Sequence, residues 1–122
     1  MRIECEEIDN ILKVKLLEKR LDASVATDFK GRMREWIDEG KRRIVLDLSS
    51  VEFVDSSGLG AIVSSLKAVR GKGDLLISGI REPVASLFRL TKMNRVFQIF
   101  GTDAEAVDYF RKSRCPGVPG KV

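Results

Sequence analysis

The chain contains no histidine. That absence removes Ser-His-Asp and Cys-His catalysis, and every zinc or iron site built on imidazole. Of the nucleophilic hydroxyl mechanisms, serine–lysine variants survive on paper only. Cysteine is scarce too: Cys5 and Cys115 lie near opposite ends, with no Cys-x-x-Cys pair. A thiolate metal site or dithiol redox motif is therefore not expected. Two ordinary thiols suit a reducing compartment. Long apolar runs are missing. Stretches such as Ile44-Val45-Leu46 fall far short of the roughly 20 residues a membrane helix needs. Glu4, Glu6 and Glu7 stand where a signal peptide would have its apolar region, so a cytoplasmic protein is expected, with no membrane partner. No GxxxxGK[ST] loop occurs, and Gly58-Leu59-Gly60 does not extend to GxGxxG because Val63 takes the third glycine's place. Paired carboxylates such as Glu6-Glu7 fall on a strand with no cleft signal and read as surface charge. These absences predict a protein that is not an enzyme and needs no cofactor or metal.

What is present describes an ordinary folded domain. A chain of 122 residues is one domain by default. It can bury roughly two-thirds of its unfolded surface, enough for a core without staples. Hydrophobic residues make up 43% and charged residues 33%, a balance that excludes disorder. Net charge is +4, with a pI near 9.3. The basic residues are interleaved with acids, as in Lys30, Arg32, Arg34, Glu35, Asp38 and Glu39. The aromatic residues sit at apolar positions instead of among the cations. A solvated surface is expected, without nucleic-acid binding. Acidic protein partners are compatible with this charge.

Hydrophobic periodicity organises the chain. Ile3 to Ile8 and Ile11 to Leu17 read as strands flanking a turn at Asp9-Asn10. Arg20-Leu21-Asp22-Ala23 reads as a connection. Ser24 to Glu39 carries Val25, Phe29, Met33, Trp36 and Ile37 at helical spacing, and Gly40 stops that helix. Arg43 to Leu48 is continuously apolar enough for a central strand covered on both faces. Val51 to Val54 is a second extended run. A helix over Gly58 to Arg70 would turn Leu59, Ile62, Val63, Leu66 and Val69 inward. Asp74 to Ser78 is a strand, and a third helix starts near Glu82-Pro83, with Val84, Leu87, Phe88 and Thr91 inward. Phe97 to Phe100 is a last short strand. Asp103 is the expected N-cap of a terminal helix carrying Ala106, Val107 and Phe110. Cys115-Pro116-Gly117-Val118-Pro119-Gly120 cannot continue that helix. The expected organisation is a folded domain over 1–113 and a flexible tail over 114–122. This order predicts an α/β fold: a mixed central sheet of four to five strands packed with about four helices.

The one polar constellation in an apolar setting is Val54-Asp55-Ser56-Ser57-Gly58-Leu59-Gly60, between a strand and a helix start. The free N–H groups of a helix N-terminus carry partial positive charge. Asp55 or Ser56 can cap that end, and the glycines permit close approach of another group. A phosphate on Ser57 would rest against those N–H groups and add about −1.5 to −2 charges beside Asp55. The local fold tolerates that charge; a partner packed against the turn does not. The same tetrapeptide is also a good generic turn and cap, and on its own it does not separate these roles.

The run Ile44-Val45-Leu46-Asp47-Leu48-Ser49-Ser50-Val51-Glu52-Phe53-Val54-Asp55-Ser56-Ser57-Gly58-Leu59-Gly60 resembles the signature of the STAS domain, in its anti-sigma-factor-antagonist branch. Arg20 to Ala23, Leu87 to Thr91 and Phe97 to Phe100 are similar to further family segments, so the likeness covers about Ile3 to Phe110. The resemblance implies a protein that binds an anti-sigma factor, itself a serine kinase, and so frees the sigma factor. It implies inactivation by phosphorylation of the second serine, here Ser57, and reactivation by a serine phosphatase. ATP and magnesium would belong to the kinase. The implied partner-binding residues are Asp22, Asp55, Ser56, Ser57, Gly58 and Leu59, in a monomer or weak homodimer. One departure stands before the Leu21-Asp22 pair, where Lys19 or its neighbour replaces a glycine frequent in the family. The alternative implied function is a STAS regulatory subunit of a lipid-transport ATPase complex.

Overall fold

The computed structural model describes residues 1–113. The expected tail and Cys115 lie outside them. Two antiparallel strands open the chain, β1 (Ile3–Ile8) and β2 (Ile11–Leu16). Asp9 and Asn10 between them take φ of 51° and 67°, the left-handed pair that a two-residue hairpin turn requires. After a two-residue strand β3 (Arg20–Leu21) comes helix α1 (Ala23–Asp38). Gly40 follows it at φ 99°, as a helix-terminating glycine should. Then come β4 (Arg43–Asp47), β5 (Phe53–Val54) and helix α2 (Ser56–Val69). Strand β6 (Asp74–Ser78), helix α3 (Glu82–Leu90), a single 3-10 turn at Met93–Arg95, β7 (Gln98–Phe100) and helix α4 (Asp103–Ser113) complete the domain.

The main sheet has the order β1-β2-β4-β6-β7 and is parallel everywhere except at β1–β2. The fold is thus the expected α/β domain, a five-stranded mixed sheet with four helices. Alternation along β4 explains why its sequence is apolar throughout. Ile44 and Leu46 enter the core beneath α1 and α2, with Leu12, Leu75, Ile77 and Phe29. Val45 points to the other face and packs with Ile11, Leu76, Ala106, Val107 and Phe110 under α4. Among the described residues, no helix is long and apolar enough to cross a membrane.

Several local expectations change. The segment Arg20 to Ala23 is not merely a connection: β3 pairs in parallel with β5 to form a separate two-stranded sheet. Helix α2 begins two residues earlier than its apolar stripe, because Asp55 caps it. Its buried face is also rotated. Gly58, Ala61, Ile62, Ser65, Leu66 and Val69 are buried, whereas Leu59 and Val63 are only half-buried. Small residues there let α2 lie close against its neighbours. Thr91 is exposed and returns its hydroxyl to the Leu87 carbonyl at 2.7 Å, ending α3 instead of packing under it. Asp103 is not the cap of α4. The Thr102 hydroxyl accepts from the Glu105 amide at 3.2 Å and takes that role. Asp103 instead accepts a 2.5 Å hydrogen bond from the Ser78 hydroxyl, tying α4 to the end of β6.

Candidate functional site

The site is set by the small β3–β5 sheet. Its register places Arg20 beside Phe53 and Leu21 beside Val54. The next residue of each strand is an aspartate, and each aspartate opens a helix. Asp22 caps α1: its carboxylate accepts from the Ser24 amide at 3.0 Å and the Ser24 hydroxyl at 2.6 Å. Asp55 caps α2 by accepting from the Gly58 amide at 2.9 Å. Its own amide donates to the Leu21 carbonyl at 3.3 Å. Two helix N-termini therefore lie side by side at the carboxyl ends of two paired strands, with both backbones in the extended conformation that caps require.

The exposed part of this arrangement is small and defined. Ser56 and Ser57, in the first turn of α2, are both exposed. Their amides have no acceptor among the described residues. Together with the helix dipole they make a locally positive surface. Gly58 is different. It is buried, and a Cβ built on it would lie 2.0 Å from the Leu21 carbonyl oxygen. Its lack of a side chain thus serves the contact between α2 and β3, which fixes the height of Ser57 above the sheet. Gly60 has nothing within 4 Å of such a Cβ and is open to an incoming group. Leu59 is half-buried and lines a groove of about 410 Å³ with Ser56, Gly60, Val63, Ser64, Lys67 and Met93.

Asp22 joins the site through its own electrostatics. Hydrogen bonds from Ser24 and then Arg20 hold its carboxyl below the usual carboxylate range. The Arg20 Nε donates to it at 3.2 Å, and the guanidinium stacks 4.3 Å over the half-exposed Phe53 ring. Arg20 and Phe53 border the paired caps and were not singled out by sequence reasoning. The only available signal was an isolated exposed aromatic in a short strand, which is weak. The departure at Lys19 has no conformational cost, because Lys19 does not adopt a positive φ. Its carbonyl accepts from the Glu52 and Phe53 amides at 2.7 and 3.2 Å, which holds the loop in place without glycine. Among the described residues there is no cluster of potential ligands that could hold a metal ion.

These observations place the Asp-Ser-Ser-Gly turn, a single-layer exposed start of α2, in a specific β-α setting. A family profile for the STAS domain matches residues 2–106, nearly all of the described fold. The chain belongs to the STAS domain family. Relatives within it include the anti-sigma F factor antagonist of Paenibacillus polymyxa, 28% identical over 109 residues, covering 88% of this chain and 92% of that protein. The crystal structure of a Thermotoga maritima protein described as a candidate anti-sigma factor antagonist superposes with a TM-score of 0.81. It is 30% identical and covers 89% of this chain and 94% of that one. The STAS fold is also shared with the anti-sigma factor antagonist SpoIIAA in its unphosphorylated form, at a TM-score of 0.69 and 17% identity, covering 90% and 98% of the two chains. SpoIIAA has also been solved in a phosphorylated form.

Proposed function

We propose that this STAS domain is an anti-sigma-factor antagonist that works by binding and not by catalysis. It binds an anti-sigma factor that is also a serine kinase, through the surface around the paired caps. Phosphorylation of Ser57 by that kinase releases the complex, and a serine phosphatase restores it. The observation that carries this reading is the position of Ser57. It is exposed in the first turn of α2, next to free amides, while Asp55 and Gly58 are engaged in holding the turn.

The physical logic follows from that placement. A phosphate at Ser57 gains from the dipole and amides of α2, so the domain has no need to refold. It also adds negative charge and bulk beside Asp55, with Asp22 at the adjacent helix start. A partner seated on this surface meets both effects at once. The relatives named as antagonists support the general role, and SpoIIAA, which shares the fold, has been solved in a phosphorylated form.

The test is phosphorylation by the cognate kinase, followed by mass spectrometry. Ser57→Ala is expected to abolish phosphate incorporation while leaving the circular dichroism spectrum unchanged. Ser57→Asp is expected to weaken kinase binding. Phosphate recovered on another residue, with Ser57 unmodified, would overturn the assignment.

A further inference from the structure

Strand β1 forms one edge of the main sheet, and β2 is the only strand it pairs with among the described residues. Its backbone alternates in a definite way. The Leu17 amide donates to the Arg2 carbonyl at 2.9 Å, which puts residues 2 and 17 in a hydrogen-bonded antiparallel pair. The even residues of β1 therefore direct their amides and carbonyls at β2. Ile3, Cys5 and Glu7 direct theirs outward. An edge that presents such a row is a template for another strand.

The row is self-complementary about Cys5. In a two-fold antiparallel pairing, Cys5 faces Cys5 of the second copy and Ile3 faces Glu7 of the second copy. Each facing pair then exchanges both of its main-chain hydrogen bonds. On the opposite face, Glu4 meets Glu6 of the second copy. These acids do not stand alone. Lys15 lies opposite Glu4 within the hairpin, and Lys13 lies opposite Glu6, with its ammonium 3.4 Å from that carboxylate. Each cross-sheet row reads lysine, glutamate, glutamate, lysine, with Lys13 also 3.6 Å from the Asp103 carboxylate. Glu7 is already paired with Lys41 at 2.8 Å.

We propose that β1 is the seam of a symmetric dimer of this chain, in which two five-stranded sheets join into one continuous sheet. The Ser57 turn lies at helix starts beyond the carboxyl ends of the parallel strands and β1 takes no part in it, so the dimer leaves both partner sites free.

Sedimentation of the full chain over a wide concentration range tests the proposal. The weight-average mass is expected to climb from 13.7 kDa toward twice that value. Cys5→Pro removes one outward amide and no bond to β2, so it should hold the mass at the monomer value. The wild-type chain supplies a second readout that needs no variant. Hydrogen exchange at the Ile3, Cys5 and Glu7 amides should slow as concentration rises. A monomer at every concentration overturns the proposal. So does a dimer that persists in folded Cys5→Pro, or slow exchange at these amides independent of concentration, which would place another segment on the edge.

Discussion

Replacing Gly58 with alanine should destabilise the domain, although alanine is the better helix former. The reason is a single contact. The added Cβ would lie 2.0 Å from the Leu21 carbonyl oxygen and 2.9 Å from its carbon, in backbone that cannot rotate away. Real Cβ contacts stay above 3.0 Å, so α2 and β3 must separate by about 1 Å to admit the methyl group. That movement strains the Asp55-to-Leu21 main-chain bond and the Asp55 cap on the Gly58 amide. Overpacking of this kind costs roughly 1–3 kcal/mol. Loss of a cap adds about 1 kcal/mol. Against this stands a gain of about 1 kcal/mol in helix propensity. The net expectation is a loss of about 1–3 kcal/mol, read as a lower urea midpoint with an unchanged slope. Gly60→Ala is the internal control. It lies on the same helix with nothing within 4 Å of its Cβ, so it should gain roughly 0.5–1 kcal/mol. If Gly58→Ala proves as stable as Gly60→Ala, the contact with Leu21 does not set the position of α2, and the account of how Ser57 is held fails.

Two further outcomes concern the core and the sheet terminus. Leu46, fully buried in β4, should cost about 2–5 kcal/mol on truncation to alanine in equilibrium unfolding, and a negligible change would contradict its central position. Burial and then a hydrogen bond with Asp47 push the Asp103 carboxyl above its usual value of 3.8. A raised carboxyl stabilises the fold while protonated and loses that contribution as pH climbs through its folded pKa. The wild type should therefore lose stability relative to Asp103→Asn as pH rises from about 4 toward neutrality. Parallel urea midpoints for the two proteins across that range would exclude a raised Asp103 carboxyl.

The legibility of this chain varied with the kind of signal. Strands β1, β2, β4 and β6 were visible because period-two alternation and unbroken apolar runs report burial directly. The Asp9-Asn10 turn was visible because its two residue types tolerate positive φ. The start of α2 was misplaced by two residues for an opposite reason. Its first turn, Ser56-Ser57-Gly58, is polar or small, and the apolar stripe begins only beyond it. The inner face of α2 was misassigned toward Leu59 and Val63 because size alone suggested burial. Close packing selected Gly58, Ala61 and Ser65 instead. Asp103 has the composition of a cap, and Thr102 beside it was equally able to serve. The hydrogen bond to Ser78, a residue on another strand, decided between them.

The turn itself shows how far the linear order of residues reaches. By itself the sequence determined that no imidazole, phosphate loop or Cys-x-x-Cys pair is available. It also determined the α/β class, since strand and helix periods alternate regardless of what they pack against. The motif around Asp55-Ser56-Ser57-Gly58 marked the family. Only the tertiary structure decided that Asp22 and Asp55 stand side by side. Their separation in the chain is bridged by two short strands too brief to announce themselves. Only the fold separated the two glycines as well, burying Gly58 against Leu21 and leaving Gly60 open. The reason is general: local patterns report which face of an element avoids water, whereas contacts between backbones depend on where distant segments meet.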